Sequence, residues 1–136
     1  MATFRMILID PETETITEHQ VSSAIKIMGE MIGTMDIDTA RIAQHDQSYD
    51  YIMVDDTGLK RGEPIHAFQF LGRPDPIAGK CLIYGATKHT GETCDARFDL
   101  GTLSRVVRFL GLIVPKVEWS KDGNVDSAAV SWSKVQ

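Results

Sequence analysis

Apolar residues are spaced in two different periods along the chain. Phe4-Arg5-Met6-Ile7-Leu8-Ile9 is a compact apolar run closed by Asp10-Pro11. Proline cannot donate a ladder hydrogen bond, so the run reads as an opening strand that ends there. Glu12 to Ile16 alternates charged with β-branched residues, which suits an exposed turn or a short strand with one wet face. Val21, Ala24, Ile25, Met28, Met31 and Ile32 then recur at intervals of three and four, predicting a helix over residues 22–32. Ser22 or Ser23 would cap it, and Gly33 would supply the left-handed terminator.

Residues 37–43 and 51–54 read as two strands separated by a polar segment around His45. The second runs into Asp55-Asp56-Thr57-Gly58, a turn signal, with Leu59 to Gly62 as the return arm of a hairpin. Ile65 to Leu71 suits a strand or a short helical turn, and the breakers Gly72, Pro74 and Pro76 mark a loop. Cys81-Leu82-Ile83-Tyr84, four apolar residues in a row, predicts a strand buried on both faces. Lys88 to Glu92 reads as a turn. Leu103, Val106, Val107 and Leu110 predict a second helix, entered near Asp99 or Thr102 and ended at Gly111. Beyond Pro115, weak alternation around Asp122-Gly123-Asn124 suits a late hairpin carrying Trp119 and Trp132, or a loosely held tail. The expected architecture is α+β: a mixed or antiparallel sheet of about five strands with two helices packed on it. Its single domain would span residues 1–114, with 115–136 as a C-terminal extension.

Length and composition agree with one globular domain: 136 residues, 43% hydrophobic and 24% charged. No apolar run approaches the roughly 18 residues of a membrane span, and the N-terminus lacks the pattern of a signal peptide. The expected location is therefore the cytoplasm. Charge is unevenly spread. Residues 1–60 carry 11 acidic and 4 basic side chains, residues 61–136 carry 8 and 10. Since neutralised phosphates supply most nucleic-acid affinity, the acidic front half argues against direct DNA or RNA binding and favours a partner protein with a basic surface. Asp36, Asp38, Asp46, Asp50, Asp55 and Asp56 are the residues that would meet it.

Reactive chemistry finds little support. Cys81 and Cys94 form no disulfide framework, and no Cys-x-x-Cys or His-x-x-x-His spacing accompanies the four histidines, so no metal or cofactor is expected. The Asp36/Asp38 and Asp55/Asp56 pairs lack the spacing of an EF-hand. A nucleophile would need Cys94 or Ser104 beside His66 or His89 and an acid, and no nucleophile elbow or cysteine-protease signature is present. Glycines are scattered, without a phosphate-binding fingerprint. Lys60, Arg61, His66, Arg73 and Tyr84 nevertheless collect donors and a ring suited to an anionic ligand.

Asp56-Thr57-Gly58-Leu59-Lys60-Arg61-Gly62-Glu63-Pro64-Ile65-His66, followed by Pro76 through Gly85, resembles the family of domain of unknown function 3846. The likeness extends over residues 4–110, and members are small proteins of bacteriophages and mobile elements. It implies no activity and no catalytic residues. The leading expectation is a non-enzymatic accessory protein of a bacterial host's phage that binds a host protein, in the manner of an inhibitor of a defence system such as CRISPR. The alternatives are a small-molecule or nucleotide-signal binding protein, which could be a homo-oligomer, and an uncharacterised hydrolase.

Overall fold

The computed structural model describes residues 2–122 and 125–135, with the backbone alone at 120–122 and 125–128. It corrects the α+β expectation. The described chain is mostly β, with ten strands in two sheets and two short helices. The strands are β1 (Thr3–Asp10), β2 (Thr15–Ser22), β3 (Ile37–Gln44), β4 (Ser48–Asp55), β5 (Ile65–Phe70), β6 (Ile77–Ala78), β7 (Cys81–Thr87), β8 (Thr93–Cys94), β9 (Val107–Asp122) and β10 (Val125–Lys134). The helices are α1 (Ile25–Ile32) and α2 (Leu100–Val106). One sheet runs β2-β1-β7-β4-β3, with β8 continuing the β1 edge of β7, and the other runs β10-β9-β5-β6. Every neighbouring pair is antiparallel.

Strand β7 sits at the centre of the first sheet, and its apolar run explains why. Side chains alternate between faces, so Cys81 and Ile83 join Ile7, Ile9, Ile52 and Phe68 in the core between the sheets. Leu82 points the other way, onto Met6, Met53, and Met28 and Ile32 of α1. Leu82 and Ile83 are both fully buried, each contributing about 2 kcal/mol. The two helices therefore lie on opposite faces of this sheet: α1 outside, and Leu103 of α2 in the inter-sheet core.

Four local readings change. Helix α1 begins at Ile25 because Ser22 is still paired with Thr3 in the β1–β2 hairpin; its N-cap, Ala24, has no side-chain cap. Gly33 does end it, at φ 85°. The segment after β4 does not return as a strand. Thr57 N–H donates to Asp55 Oδ1 at 2.9 Å, and the Lys60 and Arg61 amides both turn back to the Thr57 carbonyl, so the chain coils instead of pairing. Helix α2 starts where Asp99 accepts from the Thr102 amide, but stops at Val106 rather than Gly111. From Val107 the chain pairs with β5, Val107 opposite Phe70. The left-handed Gly111, at φ 74°, serves the register shift that skips Leu110, where a glycine bulge is favoured. Strand β9 continues unbroken past residue 114, and its part beyond Ile113 pairs with β10 alone. The turn expected at Gly123-Asn124 lies outside the described residues.

Candidate functional site

An apolar concavity opens between the sheets, beside the edge strand β3. It is a cleft of about 290 Å³. Ile52 and Val54 of β4 form one wall, because they share the inward parity of the strand, and Ala40 of β3 stands opposite Ile52. Ile77 and Ala78 of β6 form the facing wall, and the cross-strand pair Val117 and Val130 of the β9–β10 ribbon closes over it. At the rim stand Asp55, Asp56, Lys60 and Arg73.

Charge at the rim is largely settled within the chain. Arg61 binds Asp55, and Lys60 lies 3.8 Å from Asp56. Burial alone would push the Asp55 carboxyl up; the hydrogen bond from Arg61, joined by the Thr57 amide and hydroxyl, overrides this and holds it below the usual carboxylate range. Arg73 makes no ion pair among the described residues. Gly72, at φ 86°, turns the chain out of β5 and presents Arg73 both to the cleft and to a second apolar hollow of about 220 Å³ lined by Phe70 and Phe98.

The anion-binding candidates are thus divided. Lys60 and Arg73 meet at the cleft, with Arg61 held beside it by Asp55. His66 is in β5, in a different recess with Asp10, Glu12 and Lys80. Tyr84 belongs to the face that carries α1, its ring stacked on Tyr51 at 5.6 Å, while Arg41 lies over Tyr49 at 4.3 Å. Burial pushes the Tyr84 hydroxyl up.

The acidic candidates also separate. Asp36, Asp38, Asp55 and Asp56 gather at one end of the β3–β4 hairpin, where the Asp56 amide donates to the Asp36 carbonyl. Asp46 is exposed in the connection at the other end of the hairpin. Asp50 requires correction: at 0% exposure it cannot meet a partner. Its carboxylate accepts from the Arg97 and Phe98 amides at 2.9–3.1 Å and so anchors the segment leading into α2; His45 Nε2 lies 3.3 Å from it without a hydrogen bond. Its parity with Ile52, two residues on, is the signal that assigns it to the interior.

The nucleophile candidates do not assemble. Burial pushes both the Cys81 and Cys94 thiols up. The Ser104 hydroxyl donates to the Gly101 carbonyl, and His89 is exposed in the turn after β7. Sequence reasoning missed the His45–Asp50 contact, since neither residue sits in a motif. Among the described residues no three metal-ligating side chains converge, and no helix is long and apolar enough to cross a membrane. Compared with known proteins, the chain matches no family model, no curated relative and no solved structure.

Proposed function

We propose that this is a non-enzymatic binding protein whose inter-sheet cleft takes up a small organic anion with an apolar body. The observation that carries the reading is Arg73, a cation without an ionic partner among the described residues, at the mouth of an apolar-walled cleft. Apolar walls with a few convergent polar groups are the usual make-up of a small-molecule site. The walls bury the ligand's body and the guanidinium orients its charge. A thermal-shift screen of organic anions tests it. At a hundredfold excess over Kd a ligand adds about 2.7 kcal/mol, a rise of roughly 8 °C for a chain of this size. Arg73→Glu should abolish the response. If no anion raises the melting temperature, the reading is wrong.

The acidic corner favours a second reading, the binding of a host protein with a basic surface, as expected of a phage accessory protein. Asp36, Asp38 and Asp56 are exposed together there, and such a patch steers a cationic partner. In this case Asp36→Lys with Asp38→Lys should eliminate a salt-sensitive complex while leaving anion responses intact.

A further inference from the structure

The cleft as described ends at Val117 and Val130, yet the ribbon that covers it continues. From Ile113 to Pro115, buried residues alternate with exposed ones, and half-buried Val117 follows on the same inward face. The opposite face carries Lys116 and Glu118, paired with each other at 3.1 Å in solvent. Strand alternation therefore assigns Trp119 to the same face as Val117, about 7 Å further along β9. An indole spans such a distance easily. Trp119 is nevertheless 66% exposed, whereas Trp132, the other tryptophan, packs against the cluster of Ala67, Leu110 and Ile113. A large aromatic ring left open on the inward face, one step beyond the roof of an apolar cleft, has the chemistry to stack on a ligand that protrudes from it.

We infer that Trp119 is a specificity-determining residue of the cleft and that the ligand class is a planar aromatic anion. The inference rests on the cleft reading above. The ligand's charged group meets Arg73, its ring system lies beneath Val117 and Val130, and its outer edge stacks on the Trp119 indole. An aliphatic anion of equal charge would fill the same walls without gaining the stack.

Two probes separate these contributions: naphthalene-1-sulfonate and heptane-1-sulfonate, titrated calorimetrically into the full chain. Wild type should bind the aromatic sulfonate about fivefold more tightly, the increment expected of an aromatic pair. Trp119→Ala should bring the ratio close to one by weakening the aromatic probe alone. In Trp132→Phe, where Trp119 is the sole tryptophan, naphthalenesulfonate should quench the indole emission. Trp119 is exposed, so its replacement leaves the core intact. If wild type binds both probes equally, or if Trp119→Ala keeps the preference, the inference is overturned while the cleft reading stands. If neither probe binds, the cleft reading fails and takes the inference with it.

Discussion

Replacing Asp50 tests whether the interior is organised as described. The carboxylate is fully buried and holds the amides of Arg97 and Phe98, with His45 Nε2 at 3.3 Å. Phe98 in turn lines the hollow beside Arg73, so the same anchor shapes the region around the cleft. In Asp50→Ala two amides lose a charged acceptor. Hydrogen bonds to charged groups contribute about 1.5–3 kcal/mol each, and relief of the buried charge offsets part of that sum. The expected net loss is about 3–4 kcal/mol. With a urea m-value of about 1.5–2 kcal/mol per molar, the denaturation midpoint should fall by about 2 M at unchanged m. Asp50→Asn keeps the shape and one acceptor oxygen, so about half the loss is expected. Shifts under about 0.5 kcal/mol in both variants would refute the reasoning, because that is the range of surface substitutions.

Further outcomes follow from neighbouring features. A Cβ at Gly85 would lie 2.5 Å from the Asp95 carbonyl and 2.9 Å from that of Cys94. These are backbone atoms that cannot swing aside, so Gly85→Ala should cost about 2–3 kcal/mol in urea unfolding, and a neutral result would mean that β8 does not dock there. Asp55 has a depressed folded pKa, so its contribution to stability is present above the unfolded carboxylate value near 4 and is lost as pH falls through the folded value. Asp55→Asn should therefore flatten the acid limb of the stability–pH profile as pH falls below about 4, whereas an unchanged limb would contradict the Arg61 pairing. With Cys81 fully buried and both thiols pushed up, thiol labelling at pH 7 should be negligible at Cys81 and slow at Cys94, rising to two equivalents in denaturant. Fast modification of Cys81 in the folded protein would mean that the central strand is open.

The legible parts of the fold are those set by local pattern. Ile7, Ile9, Leu82 and Ile83 announce buried strands by composition alone, and Gly33 marks the end of α1. The misreadings arise where partners distant in sequence decide. Leu103, Val106, Val107 and Leu110 fit a helical period, but Val107 and Phe109 are claimed by pairing with β5, some forty residues earlier, and β-branched and aromatic residues favour that outcome. The same long-range pairing explains the partial view of the site. Lys60 and Arg73 stand out as donors in the sequence, whereas Val117, Val130 and Trp119 gain their place only because β9 joins β5 and then runs on as a ribbon. Asp50 counts among surface acids by composition and among interior residues by parity; parity gives the right answer.

Methyl-resolved NMR tests the central claim most directly. An organic anion that stabilises the protein should, on titration, shift the methyl signals of Ile52, Val54, Ile77, Val117 and Val130 together, with the Arg73 guanidinium following the same isotherm and Arg73→Glu removing all of them. Shifts confined to the opposite face, around Met53, Leu82 and Tyr84, would contradict it.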